Sequence, residues 1–349
     1  MKRLTLSVIA TLALILILSS CVTGVSITRQ IPAEANLHGA QSLRIDPTKT
    51  FLVTRRPVSA WVEGVGDQEL TIPSGYTSSL SSDVARAATR SLDRAIQSTG
   101  HLSSTTSPHA DAVVKSEITF LDVAETLIER SDDDSGEERS YYLVQSATVA
   151  LSIQVVDLAN GMILYTANYA DKVSEEYLVG TRIWDEATES YKIIRRMSFS
   201  RSPSFLPLFE DILISFEGQI ARQLAPSTVT EWVSLAPNKP KDPTAKEIYK
   251  LVSRGEYRLA LRQFLNLYQL SGDWRWGYNA ALLYQGLGEL DDAIELMNEV
   301  YASYPTNDLF KALTRMQDAR RDAQKAQMQL CGECIEEYTL TTQLYTEGR

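Results

Sequence analysis

The chain has 349 residues, 44% of them apolar and 22% charged. That length and composition leave room for two domains with sizeable cores and exclude wholesale disorder. A net charge of −10 excludes nucleic acid and an anionic lipid surface as main partners, because both favour a basic face.

The N-terminus begins with a positive pair, Lys2 and Arg3, followed by an apolar run from Leu4 to Leu18. The run ends on Leu18-Ser19-Ser20-Cys21. It is shorter than the roughly 18 residues a spanning helix needs, and the three parts together form a secretory leader. By themselves these residues leave Cys21 as the end of a discarded signal, the start of an anchored protein, or part of a buried helix. The four residues resemble the bacterial lipobox: an aliphatic residue, two small residues, then cysteine. The resemblance implies that residues 1–20 are removed, that the Cys21 thiol takes a diacylglycerol, and that its new amine is acylated. More than one acyl chain makes anchoring stable, at about 0.8 kcal/mol per buried CH₂. By the sorting rule of the same proteins, Val22 after the cysteine implies an outer membrane site facing the periplasm. Residues 21–42 show no sustained period and read as a tether holding the folded part off the bilayer.

Residues 43–236 read as an α/β domain of the α+β class, an antiparallel sheet with packed helices. Thr50 to Arg55 is a short strand. Ser81, Ser82 or Asp83 starts a helix whose Val84, Ala87, Ala88, Ser91, Leu92, Ala95 and Ile96 recur every three to four residues, and Gly100 stops it. In residues 112–123, Val114, Ser116, Ile118 and Phe120 alternate with Lys115, Glu117 and Thr119. In residues 147–156, Val149, Leu151, Ile153 and Val155 alternate with polar or small partners. Asn160-Gly161 marks a tight hairpin whose two central residues take positive φ, and a return strand begins at Met162. The acidic tip 131–138 lacks the ligand positions of an EF-hand loop. Residues 174–201 are polar and irregular and read as a surface loop, a lid, or a segment ordered on binding. Phe205, Phe209, Ile212, Leu213, Phe216 and Ile220 then form a helical stripe, with Pro207 tolerated in its first turn. Trp232 and Val233 add a last strand.

Asp111-Ala112-Val113-Val114, and the run from Val155 through Asp157, Asn160 and Gly161 to Leu164, resemble the periplasmic domain of CsgG-like and penicillin-binding-protein-activator lipoproteins. The similarity covers about 120 residues. It implies either a soluble accessory domain or an oligomeric secretion or transport component. No spare pair of ten-residue lipid-facing alternations is present for a pore.

Residues 240–330 contain an internal repeat. Gly255, Tyr257, Ala260 and Phe264 align with Gly288, Leu290, Ala293 and Met297, a shift of 33 residues. The pattern resembles the tetratricopeptide repeat. In the second copy Asn279, Ala281, Tyr284, Gly288, Ala293 and Pro305 fall on that family's characteristic positions. The resemblance implies close-packed helical hairpins and a protein-binding groove, with residues 307–329 as a capping helix. Trp274 and Trp276 read as inter-repeat core. Residues 331–349 are a tail carrying Cys331 and Cys334, with two residues between them, which an oxidising envelope allows to form a local disulfide.

His38, His101 and His109 lie in turn or tether sequence and belong to no metal-binding pattern, and the sequence shows no nucleophile elbow or phosphate loop. The expectation is therefore an envelope lipoprotein without enzymatic activity or cofactor. It binds a protein partner through its helical repeats, with the lipid bilayer as its second partner and no role for nucleic acid.

Overall fold

The computed structural model describes residues 23–50, 54–55, 75–131, 139–196, 202–239 and 241–331. The leader, the lipobox with Cys21, most of the acidic tip and Cys334 lie outside the described residues. The chain divides into two compact units. One comprises Met1–Pro32 with Pro226–Met328, described from Thr23 onward; the other comprises Ala33–Ala225 with Gln329–Arg349. The middle of the chain is thus an insertion into a unit built from both flanks. The first strand, β1 (Gly24–Ile31), belongs to the flanking, helical unit.

The inserted unit is mixed α and β. Its elements are β2 (Ser42–Ile45), β3 (Lys49–Thr50), β4 (Thr54–Arg55), α1 (Leu80–Ser98), β5 (Ser103–Thr105), β6 (Ala112–Ser131), β7 (Arg139–Asp157), β8 (Ile163–Asp185), β9 (Ser190–Arg195) and α2 (Leu206–Leu224). The sheet order is β5-β2-β6-β7-β8-β9, with β3 and β4 also pairing with β6. β6 to β9 are antiparallel neighbours, whereas β2 pairs with β5 and β6 in parallel, as do β3 and β4 with β6. The sheet is therefore mixed, not antiparallel throughout. The run 42–55 is separated from β6 by α1, and a crossover of that length permits parallel pairing.

α1 presents Val84, Ala87, Ala88, Leu92, Ala95 and Ile96, and α2 presents Phe209, Ile212, Leu213, Phe216 and Ile220, to one face of the sheet. Each such large side chain contributes roughly 1.5–3 kcal/mol when fully buried. α1 starts one residue earlier than its expected caps, with Ser79 before it, and ends before Gly100 at φ +70°. In β7 the alternation holds: Val149, Leu151, Ile153 and Val155 are buried, while Thr148, Ala150, Ser152 and Gln154 face outward. In β6 it holds only to Ile118: a bulge between Ile118 and Phe120 turns Phe120 outward, 45% exposed, and Leu121 and Val123 take the buried face instead.

At 19 to 23 residues, β6, β7 and β8 are far longer than usual. At about 3.3 Å per residue they reach more than about 60 Å. The two 19-residue helices span only about 28 Å each, less than half the length of these strands. Tyr141, Leu143 and Val179 form a small core of their own.

Two local expectations change. Residues 174–185 continue β8, and 190–195 return as β9, so most of the stretch read as a loop or lid is strand. Its outward-facing Ser174 and Glu176 pair with Ser146 and Val144 on an open sheet face, where polar side chains cost nothing. At the hairpin, only Gly161 takes positive φ (+75°), and β7 and β8 are joined by residues 158–162. Asp157 sets this longer turn: its Oδ1 accepts from Ala159 N–H at 2.7 Å and its Oδ2 from the Asn160 amide at 2.9 Å.

The helical unit contains β1, β10 (Ser227–Ser234), α3 (Pro243–Ser253), α4 (Tyr257–Ser271), α5 (Trp274–Gly286), α6 (Leu290–Ser303) and α7 (Asn307–Leu330). β1 and β10 pair antiparallel over eight residues, Gly24 opposite Ser234 and Ile31 opposite Ser227. Residues 24–31 are thus a strand and not a tether, and the Trp232 strand belongs with the helices, not with the α/β domain. The apolar positions Val25 and Ile27 had no period long enough to stand out in isolation. Both are fully buried in the helical core, together with Val233.

The helices pack as successive hairpins. Gly255 (φ +78°) and Gly288 (φ +82°) occupy the left-handed turns between α3 and α4 and between α5 and α6. Ala260, Ala281 and Ala293 are fully buried where the helices approach, and Pro305 follows α6. Phe264 stacks on Trp276 at 5.9 Å between ring centroids. Trp276 is core, as expected, whereas Trp274 is half-buried against Tyr278 and under the Arg275 guanidinium.

Candidate functional site

The chain itself fills a face of the helical unit to which one repeat residue, Asn279, belongs. β1 lies against α3 and α5. Val25 sits so close to α5 that a Cβ on Gly286 would stand 2.4 Å from its Cγ1. Just beyond β10, the buried Asn279 on α5 grips the backbone of Ala236 from both sides. Ala236 N–H donates to Asn279 Oδ1 at 2.7 Å, and Asn279 Nδ2 donates to Ala236 C=O at 3.2 Å. Tyr249 on α3 completes the clamp: its hydroxyl donates to the same carbonyl and accepts from Asn279 Nδ2 at 3.0 Å. Burial pushes the Tyr249 hydroxyl up to about 12. An amide that pairs with the N–H and the C=O of one residue is a generic means of holding an extended chain. Here the chain held is residues 235–237 of the same polypeptide.

Another surface of this unit is open and aromatic. Tyr301 and Phe310 meet at 5.9 Å between centroids across the α6–α7 junction. Tyr304 (42% exposed) follows α6, and Phe310 is 51% exposed. Tyr268, near the end of α4, is half-buried, and burial raises its hydroxyl pKa. Leu270, three-quarters exposed, ends the same helix. Aromatic side chains grouped this way are a preferred composition for protein contact surfaces.

In the inserted unit, the two motif segments that carried the lipoprotein resemblance come together at one end of the sheet, as turn chemistry. Asp111 Oδ2 accepts from Gln41 N–H (3.0 Å), Ser42 N–H (2.8 Å) and Ser42 Oγ (2.7 Å), pinning the start of β2. These bonds, led by the Ser42 hydroxyl, hold the Asp111 carboxyl below its usual range. Leu158 N–H donates to Asp111 C=O, tying the two motifs to one another.

A buried polar knot lies further along. Glu125 on β6 faces Gln145 on β7, and Gln145 Nε2 donates to Glu125 Oε1 (3.0 Å), Ser202 Oγ (3.0 Å) and Pro203 C=O (2.9 Å). Ser202 Oγ and Gly75 N–H donate to the same Glu125 oxygen. Gly75 is obligatory, since a Cβ there would lie 1.9 Å from Pro203 O. Sequence reading missed this knot, although both polar residues sit in the apolar register of their strands. Tyr249 was missed because it falls in the weaker repeat copy.

Between α1 and α2 a groove of about 220 Å³ is lined by Ala87, Arg90, Arg94, Glu210, Leu213 and Ile214. Its arginines are engaged, Arg90 with Glu210 at 3.2 Å and Arg94 with Glu217 at 2.6 Å. His38, His101 and His109 are exposed. Among the described residues no group of three His, Cys, Asp or Glu is placed to hold a metal ion, and no helix is long and apolar enough to cross a membrane. Cys331 is exposed at the end of α7, while its expected partner Cys334 lies outside the described residues.

No family model and no curated protein matches the chain. Solved structures with partial similarity include the PelC dodecamer from Paraburkholderia phytofirmans, at 10% identity, covering 56% of this chain and 97% of that one, TM-score 0.25. Protein XCC0632 from Xanthomonas campestris matches at 10% identity, covering 52% and 82%, TM-score 0.27. A putative neuraminyllactose-binding hemagglutinin homolog from Helicobacter pylori matches at 12% identity, covering 54% and 84%, TM-score 0.27. Scores this low carry no argument about what the chain does.

Proposed function

We propose that the chain is a lipid-anchored protein of the bacterial cell envelope, on the outer membrane facing the periplasm, and acts without enzymatic activity as a protein-binding adaptor or assembly factor. The observation that carries this reading is the aromatic surface at Tyr301, Tyr304 and Phe310 on a unit whose clamp face is already filled in cis. The partner then docks on the outside of the helical hairpins rather than in a peptide groove. Acylation at Cys21 confines the protein to a surface and raises the effective concentration of whatever that patch binds.

Crosslinking in intact cells, with the partners recovered from wild type and from a Tyr304→Ala/Phe310→Ala double variant, tests the reading. Loss of one or more partners is the expected result; identical partner sets remove the adaptor role from this patch. The anchor has a separate test. Cys21→Ser is expected to abolish acyl labelling and leave precursor behind, and normal processing with membrane retention refutes it.

A second reading, an oligomeric secretion or transport component, draws on β8. Among the described residues its edge over 163–179 has no strand beside it. A mature chain that runs only as a monomer in size exclusion disfavours that reading.

A further inference from the structure

The β1–β10 ribbon carries an uncharged outer face on a strongly acidic chain. Val25, Ile27 and Val233 point into the helical core. The alternate positions, Ser26, Thr28, Thr230 and Trp232, point outward, as do Gln30 and Thr228, and none bears a charge. Thr28 and Thr230 bond to one another through their hydroxyls at 3.0 Å, so part of the polar capacity of this face is satisfied within it. Trp232 is 62% exposed. Its indole lies over Gly24, where a Cβ would stand 2.6 Å from Nε1 and 2.7 Å from Cε2. Gly24 therefore provides the seat on which the exposed ring rests.

The position of this end along the chain supplies the occupant. Leu235 N–H donates to Thr23 C=O at 2.9 Å, so the ribbon's hydrogen bonding is anchored from residue 23 onward. Two peptide units separate Thr23 from Cys21, a reach of at most about 8 Å between Cα atoms. If Cys21 carries acyl chains in a bilayer, Gly24 and Trp232 are held within the headgroup layer or just outside it. Indole rings favour that layer, where an apolar body and a polar N–H are both accommodated.

We propose that the outer face of the ribbon, at its Gly24–Trp232 end, docks on a zwitterionic bilayer surface, with the Trp232 ring as a second attachment beside the acyl chains. This rests on the lipid-anchor reading above. The absence of charge on the face suits zwitterionic lipid, while the net charge of the chain disfavours an anionic surface. The helical unit then rides on the membrane and does not swing on a tether.

The test uses the full mature chain, acylated in cells, reconstituted into phosphatidylethanolamine–phosphatidylcholine vesicles containing phosphatidylcholine brominated near the headgroup end of its acyl chains. Incorporation of labelled fatty acid is measured first; a chain that takes none overturns both the anchor and the docking. With acylation present, bromolipid is expected to quench a component of the tryptophan emission that is absent in Trp232→Phe. Gly24→Ala, whose Cβ would crowd the Trp232 ring and, at 2.6 Å, the Val233 C=O, is expected to reduce that component by half or more. Equal quenching of wild type and Trp232→Phe, or a crosslink from position 232 to protein in place of lipid, overturns the docking while leaving the anchor intact. Trp232 is exposed, so Trp232→Phe is expected to keep the far-UV spectrum of the wild type.

Discussion

Asn279 shows how one side chain decides what a repeat face is for. Its amide spans the N–H and C=O of Ala236, so truncation leaves the Ala236 N–H without a partner in a buried site and its C=O with the Tyr249 hydroxyl alone. Asn279→Ala is expected to cost about 1–3 kcal/mol, read as a lower urea midpoint with an unchanged slope. An unchanged midpoint would mean that the clamp contributes nothing. Tyr249 adds a pH signature. Its hydroxyl titrates near 10 in the unfolded chain and is raised to about 12 in the fold by burial. Below pH 10 both states hold the proton and the contribution is fully present. Between about 10 and 12 the unfolded state releases it first, so stability falls as pH rises. Tyr249→Phe is expected to flatten that fall by one proton's share in chemical denaturation at pH 9 to 12. An unaltered slope would assign the alkaline loss to other buried tyrosines.

Among the elements, the long strands and the ribbon separate what was legible in the sequence from what was not. β7 declared itself because Val149 to Val155 alternate against a buried face. The α2 stripe and the small residues of the helical hairpins declared themselves because both follow a strict period. β8 beyond residue 173 did not, because its neighbours lie on an open face that selects for nothing, and the chain there reads as polar. The β1 strand was hidden for a different reason: its partner lies some two hundred residues away, and eight residues with two buried aliphatic side chains carry no signal alone. The clamp and the Glu125–Gln145 knot shared that difficulty, since their meaning depends on which segments meet. Two measurements follow. Amides of β8 over residues 174–182 that point toward β7 should exchange as slowly as those of β7 itself; exchange within seconds would restore the loop. Ile27→Ala, in a fully buried site, is expected to lower stability by about 2–5 kcal/mol and to weaken the helical unit; a neutral result would return residues 24–31 to a tether.

At the scale of the molecule, the helical unit is assembled from the two flanks of the chain and encloses the coding position of the α/β unit between residues 32 and 226. A fragment comprising residues 240–331 alone lacks β1, which covers Gly286, and Ala236, which pairs with Asn279. It is expected to show helical far-UV signal with a broad, non-cooperative melt, whereas residues 23–331 melt cooperatively. A sharp transition in the fragment would show that the ribbon is dispensable. The arrangement also bears on biogenesis. β1 leaves the ribosome near the beginning of synthesis, but its partner strand is made only at residues 227–234 and the helices that bury it later still. A chain that ends before residue 227 therefore carries β1 without its partner strand, with backbone N–H and C=O groups left unpaired. Completion of the distal sequence is what hides the proximal one, so the fold contains its own proof of full length.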